Sequence, residues 1–398
     1  MLVKLYKKTI PFSEIVLFSF FSIYIIGNGQ HNKKFLFLFF SYLLFINIKN
    51  IVNLSKITLL NWPFILVIIW CFITSLWSIW PSESRYTSIT QVLLLFTCVL
   101  VTYSYTVDRI LLNLKLAAIL FIIVNLVYFF IAPLSFISLD GAKGITNHKN
   151  SFGFIIAISI IIIFSYSEFK ILNLKIYDKL YLCVALVFLL LSLSKTSISL
   201  VFISIIVTYL LSKIDNKNLI LVSSSLRVFS LPFVFFLFTI IYIYQYEITD
   251  YLYYHYNDDF LTGRGRIWMT LILDNVDRMN FGLGFGSVWD KGEYSEIFFT
   301  DIYETDPLWA AGLASSDGGY TDLLLSIGIV GVGIFTYFLL TVLAGILLLR
   351  ESKAFFLILP LYIFIILHNI TETSFLLGSV SIWFIFVLIS CIANHRKI

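Results

Sequence analysis

Arg264 and Arg266, in LTGRGRIW, place two guanidinium groups beside glycines. A guanidinium binds phosphate oxygens two at a time, so the pair suits a phosphate or pyrophosphate; pairing with Asp258, Asp259 or lipid headgroups is the plainer role. A second cationic segment, GAKGITNHKNSFG, carries Lys143, His148, Lys149 and Asn150 where a polar loop enters an apolar run. Three potential cations so close together suggest an anion site, although Asn150 or Ser151 would also serve as a helix cap. Arg85 in WSIWPSESRY and Lys195 in LSLSKTS are further cations at helix ends, where they serve either a site or lipid phosphate. The acids Asp317 and Asp322 flank Tyr320, and Glu372 stands in HNITETSF. A desolvated carboxylate near arginine can act as a general base, and the same acids can serve helix N-termini. The aromatic faces of Trp268, Tyr320 and the cluster Tyr242, Tyr244, Tyr246, Tyr251, Tyr253, Tyr254 and Tyr256 could stack on sugars or anchor at a membrane interface. GLGFGS at 282–287 has no βαβ unit around it, so it is not a dinucleotide fingerprint.

What positions these groups is a chain of 398 residues that is 60% hydrophobic and 13% charged. A soluble domain usually carries about a quarter charged residues. The apolar residues come in runs of about 18–25, the length a helix needs to cross hydrocarbon, and backbone in lipid must be helical or closed into a barrel. The alternation of a β-barrel is missing. The expected fold is an all-α polytopic membrane protein with about twelve spans (ten to twelve), near 10–27, 34–48, 58–77, 88–106, 110–133, 151–167, 178–194, 196–212, 228–246, 320–349, 354–368 and 374–392. Residues 1–398 form one membrane domain, with residues 247–319 as a large polar loop outside.

Placing both termini in the cytoplasm leaves most of the 27 basic residues inside, among them Lys4, Lys7, Lys8, Lys115, Lys170, Arg227, Arg396 and Lys397. The N-terminal segment lacks a small-residue cleavage site and is expected to be an uncleaved first helix. All four cysteines, Cys71, Cys98, Cys183 and Cys391, fall within expected spans, so neither a disulfide framework nor a thiol metal site is expected. The long loop is expected to be functional, with a short amphipathic helix over 266–278.

Within the stretch from about Leu76 to Phe375, the motifs HKNSFG, LSLSKTS, DDFLTGRGRIW, GLGFGS, GGYTDLLLSIGIVG and NITETS follow one another. This order resembles the O-antigen ligase and polysaccharide polymerase superfamily, most closely its exopolysaccharide-production (ExoQ-like, Wzy-type) polymerase branch. The resemblance implies a C-type membrane glycosyltransferase fold in the bacterial cytoplasmic membrane. It also implies transfer of oligosaccharide from an undecaprenyl-pyrophosphate donor to an acceptor glycan outside that membrane, without metal, cofactor or nucleotide sugar. Membrane lipid, a chain-length regulator and a flippase are the companions it implies; nucleic acid is not one. Arg264 matches the arginine of the family's TGR motif, which would hold the pyrophosphate, while Lys149 and Asn150 match its HKN element and Lys195 its Ser–Lys/Arg–Thr hairpin. Arg85 falls in the first outer loop. Where many ligases have His-Asn before GY, this chain has Asp317 and Gly318, a departure that favours a polymerase. Asp317 is then the leading base, followed by Glu372 and Asp322. A ligase with another acceptor remains the nearest alternative. A lipid-linked oligosaccharide flippase would share the helices and cations, with less need for so long a loop on one face.

Overall fold

The computed structural model describes residues 12–27, 32–168, 174–244, 246–248, 250–251, 263–378 and 380–394. Lys4, Lys7, Lys8, Lys170, Arg396 and Lys397, the tyrosines Tyr253, Tyr254 and Tyr256, and the acids Asp258 and Asp259 lie outside the described residues.

Helix makes up 79% of the structure, with almost no strand. In chain order the helices are α1 (Phe12–Ile26), α2 (Asn32–Asn47), α3 (Ile51–Leu60), α4 (Trp62–Ile73), α5 (Pro81–Ser104), α6 (Val107–Ile131), α7 (Pro133–Phe136), α8 (Lys149–Ser165), α9 (Ile176–Leu191), α10 (Lys195–Leu211) and α11 (Asn216–Ile243). After the polar loop's own short helices, α12 (Arg264–Leu273), α13 (Asp301–Thr305) and α14 (Pro307–Ala311), come α15 (Gly319–Leu347), α16 (Lys353–His368) and α17 (Ser381–Asn394). Among the described residues one two-stranded ladder pairs β1 (Ile137–Ser138) with β2 (Gly141–Ala142) in the turn that leads to α8.

Among the described residues, α5, α6, α11 and α15 are long and apolar enough to cross a membrane, and α2 with α3 would make a fifth if their 118° bend lies within one span. Six shorter apolar helices accompany them. The outward faces are apolar as well: Phe235 is 75% exposed and Phe236 64% on α11, a surface that suits lipid better than water. These features are consistent with a membrane protein.

The expected boundaries differ from the structure in instructive places. The run 228–246 begins twelve residues early, at Asn216, because the triple serine 223–225 forms helix, and this places Arg227 inside α11 instead of in a connecting loop. Lys115, counted as a cytoplasmic charge although it falls inside the expected span 110–133, lies within α6 and pairs with Asp178 of α9. The helix expected over 266–278 instead starts at Arg264 and ends at Leu273, followed by a 3-10 turn at Val276–Arg278. The loop folds on a small apolar core of its own, in which Ile267, Leu271, Met279, Val288, Ile297 and Ile302 meet Leu325 and Ile329 of α15.

GLGFGS has a structural use. α15 is broken at Gly328 (φ 69°), and the segment 279–284 closes the gap with main-chain bonds. Leu283 N–H donates to Leu325 C=O (2.7 Å), Gly284 N–H to Ser326 C=O (3.0 Å), and Ile329 and Val330 N–H to the carbonyls of Met279 (2.8 Å) and Asn280 (3.2 Å). Trp70 Nε1 donates to the remaining carbonyl, Ile327, at 2.8 Å. Backbones this close leave no room for side chains, since a Cβ on Gly282 or Gly328 would lie 2.5 Å from the other's amide nitrogen. The carbonyls of Leu325, Ser326 and Ile327 and the amides of Ile329 and Val330 are thereby satisfied, as an apolar surrounding demands.

Candidate active site

The turn between α16 and α17 carries Glu372, and its shape is set by Asn369. The Asn369 side-chain oxygen accepts from the Ser374 (2.9 Å) and Phe375 (3.0 Å) amides, while its amide nitrogen donates to Ile365 C=O at 2.8 Å. From behind, Gln91 of α5 donates to Leu376 C=O and accepts from Trp383 Nε1, and Tyr24 of α1 donates to Gly378 C=O. Gly319, the first residue of α15, donates its N–H to both Asn369 C=O (2.9 Å) and Glu372 C=O (3.1 Å). A Cβ at Gly319 would collide with the Asn369 side chain, so the second glycine of GGY is a packing requirement.

Onto this turn α12 brings Arg264, its first residue. Arg264 Nη2 lies 3.0 Å from Glu372 Oε1, and Arg264 Nε lies 3.7 Å from Asp317 Oδ2, with no hydrogen bond of its own among the described residues. Asn150, in the first turn of α8, donates to the same Glu372 oxygen at 2.7 Å. Three distant segments therefore meet at one carboxylate, and a fourth brings Asp317 to the same arginine. The side chains of Arg264 and Glu372 are 18% and 20% exposed, and that of Asp317 is 44% exposed. Burial pushes the Glu372 carboxyl up to about 7 from 4.5; Arg264 and the Asn150 hydrogen bond oppose this rise, and Asp317 adds to it. The group thus exchanges protons near neutrality, the property a general base requires.

The remaining sequence candidates divide into two groups. Lys149 lies beside Asn150 with Nζ 3.1 Å from Asp140 C=O. The hairpin presenting Lys195 packs against α8, where a Cβ on Gly153 would lie 2.6 Å from Ser194 Cβ, so Lys195 stands exposed beside this end of α8. The α8 cap is His148, whose Nδ1 accepts from Asn150 N–H at 3.3 Å, and neither Asn150 nor Ser151 takes that place. Asn150 is left free to hold Glu372.

Arg266 points away from the cluster and donates to Thr305 Oγ1 (2.7 Å), and Arg85, exposed on the first turn of α5, makes none of the cluster's bonds. The two arginines of TGRGR therefore do not act as one clamp. Asp322 is buried and fully engaged: Oδ1 accepts from Trp289 Nε1 (2.8 Å) and Ser316 N–H (3.1 Å), and Oδ2 accepts from Thr373 Oγ1 (2.6 Å). That arrangement ties the loop to α15 and to the Glu372 turn. Trp268, one turn beyond Arg264, donates to Ser316 C=O (2.8 Å) and covers Gly318, where a Cβ would meet the indole at 2.8 Å. Tyr320 donates to Ile366 C=O (3.2 Å) and sets its ring edge-on to Phe375. Both aromatics hold backbone around the site.

Sequence reasoning missed Asn369 and His368, two adjacent residues of HNITETS. The buried His368 ends α16, stacks on Phe364, meets Phe154 edge-on, and has no hydrogen bond to Nδ1 among the described residues. The signal available was the pair of polar residues closing an apolar helix. Behind Asp322 opens a cavity of about 430 Å³ whose wall includes Ser315 and Thr373, the neighbours of Asp317 and Glu372 on the site side. Trp289, Thr87, Lys33 and the pair Lys291–Glu83 (3.9 Å) line it further. Among the described residues no group of three or more His, Cys, Asp or Glu could hold a metal ion. No protein-family model matches the chain, and no curated protein matches it.

Proposed function

We propose that this protein is a membrane glycosyltransferase of the polysaccharide polymerase type. It would lie in the bacterial cytoplasmic membrane, with about twelve spans, both termini in the cytoplasm and the Arg264 cluster outside. Its donor is an undecaprenyl-pyrophosphate-linked oligosaccharide and its acceptor the end of a growing glycan. The observation that carries this reading is Arg264 shared between Glu372 and Asp317, with the Glu372 carboxyl at about 7.

Transfer from such a donor requires charge stabilisation on the departing diphosphate and removal of a proton from the acceptor hydroxyl. The acceptor oxygen bonds to the anomeric carbon while the bond from that carbon to the diphosphate oxygen breaks, and the electron pair leaves with the diphosphate. Arg264 supplies fixed positive charge where that negative charge develops. Lys149 and Lys195 at the neighbouring helix ends add to the field. Glu372 takes the hydroxyl proton. When the diphosphate engages Arg264, Glu372 loses part of its stabilising partner, so its affinity for a proton rises as the base is needed. This order places Glu372 ahead of Asp317, the more exposed carboxylate, and leaves Asp322 as a support. The cavity of about 430 Å³ beyond Ser315 and Thr373 has the mixed polar and indole lining that an acceptor sugar requires. Gly318, packed under Trp268, has no room for the asparagine of a ligase-like His-Asn pair, which favours the polymerase over the ligase.

The test is purified protein in liposomes, given undecaprenyl-pyrophosphate oligosaccharide and no nucleotide sugar, with products separated by size and Arg264→Ala run alongside. A ladder of lengthening glycans from the wild type only is the expected result. Normal polymer from the variant would remove Arg264 from the mechanism, and donor crossing the bilayer without transfer would point to a flippase.

A further inference from the structure

At the opposite end of α15 from Glu372, α11 and α15 enclose a feature that glycosyl transfer does not use. Ser223 Oγ donates to Ala344 C=O at 2.7 Å, which fixes the register of the two helices. Arg227 lies one turn along α11 on the same side as Ser223, and Thr341 lies one turn back along α15. The two line a cavity of about 400 Å³ with Trp62, Tyr337 and Asn394. Trp62 and Tyr337 are in ring contact at 5.4 Å and form one wall. From Gly319 to Thr341 the helix runs about 30 Å, the thickness of the hydrocarbon core, so this cavity lies at the membrane surface remote from Arg264. Trp and Tyr at that depth mark the headgroup level.

A second cavity, of about 480 Å³, shares Tyr337 with the first and continues along the same two helices, bounded by Leu66, Leu231, Phe235, Val330 and Gly333. Apart from Thr239 and Asn280, and the hydroxyl of Tyr337, its lining is apolar. From Thr341 to Ile329, at its far end, α15 rises about 18 Å, close to the roughly 15 Å of one leaflet's hydrocarbon. An exposed arginine beside hydroxyl and amide groups, leading into an apolar channel one leaflet deep, matches a ligand with an anionic head and a hydrocarbon chain.

We infer that this paired cavity is a binding site for an anionic phospholipid of the leaflet remote from Arg264. The phosphodiester lies on Arg227 and one acyl chain lies between α11 and α15. Arginine holds a phosphodiester by charge-assisted hydrogen bonds, and loss of such a bond weakens binding about tenfold or more.

The experiment uses the full-length protein, delipidated in detergent and titrated with phosphatidylglycerol, phosphatidylcholine or inorganic phosphate. Bound lipid is counted by native mass spectrometry and helix content is followed by circular dichroism. Wild type is expected to hold phosphatidylglycerol about tenfold more tightly than phosphatidylcholine. Arg227→Gln removes the preference, and Arg227→Lys keeps most of it. Val330→Trp, which fills the apolar channel, weakens both lipids alike without changing their ratio. Equal retention of both lipids by the wild type would overturn the inference, as would phosphatidylglycerol binding undiminished in Arg227→Gln. Inorganic phosphate displacing phosphatidylglycerol would reduce the site to an ion pocket. An undecaprenyl phosphate that outcompetes phosphatidylglycerol would give the channel to the donor instead.

Discussion

Lys115 and Asp178 meet at 2.7 Å with side chains 9% and 4% exposed, one cation to one carboxylate, and Tyr166 lies against the ammonium at 4.6 Å. Arg264 is instead divided between Glu372 at 3.0 Å and Asp317 at 3.7 Å, with a second donor, Asn150, on the Glu372 oxygen. The first pair joins α6 to α9 and has nothing to exchange with a ligand. The second is partly exposed and over-supplied with carboxylate, so in the proposed reaction an incoming diphosphate would displace an acid without stranding the arginine. The contrast teaches that burial alone does not mark a reactive ion pair; unequal sharing at an accessible position does.

The sharpest way to break this comparison is to remove each cation. Arg264→Ala is expected to lower transfer by about 10²–10³-fold with helix content unchanged, as for loss of a charge-stabilising donor. Lys115→Ala is expected to cost about 3–5 kcal/mol of stability by leaving a carboxylate buried alone, with the activity of the folded fraction preserved. Urea unfolding and specific activity, measured on both variants, check the division, and a Lys115→Ala with unchanged urea stability, or with reduced specific activity when folded, would end it. Replacing both partners, Lys115→Met with Asp178→Leu, is expected to leave stability within about 1 kcal/mol of wild type or above it, since apolar side chains avoid the desolvation cost.

A smaller effect is a change in pH profile. With Glu372 at about 7, transfer is expected to rise as pH climbs through 7, and Glu372→Gln should leave a low rate without that limb. The sign for stability is opposite. The folded state binds this proton more tightly than a carboxyl at 4.5 does, so the contribution is complete below 4.5 and is lost as pH rises through about 7. The glutamine variant should lack that decline in Tm. The smallest effect belongs to Asp317→Asn: a half-exposed carboxylate at 3.7 Å contributes little, and the loss of activity should stay below about tenfold. A loss as large as that of Arg264→Ala would restore Asp317 as the base.

The helices were legible because apolar runs of spanning length can satisfy their backbone in few other ways. Arg264 was legible as a guanidinium beside glycines in the polar loop and Glu372 as an acid just ahead of an apolar run, and the structure brings them together. Their ranking was not legible, because the rise at Glu372 comes from burial by a turn that Asn369, Gln91 and Tyr24 hold across long sequence separations. Pairing Arg264 with Arg266 failed because positions two residues apart on a helix diverge by about 200°. The Lys115–Asp178 contact was hidden for a related reason. Lys115 reads alone as a cytoplasmic charge, Asp178 stands sixty-three residues away, and only the packing of α6 near α9 makes them partners.

The break at Gly328 also bears on how the chain is assembled. The carbonyls of Leu325 and Ser326 find their donors in Leu283 and Gly284, residues synthesised some forty positions earlier. While a nascent chain is being inserted, α15 cannot rest in lipid as a finished span until the loop has folded back onto it. Loop and span therefore mature as one unit, and a substitution such as Gly282→Val, far from any charged group, should reveal itself as protein retained by the insertion machinery or degraded, not as an inactive enzyme in the membrane.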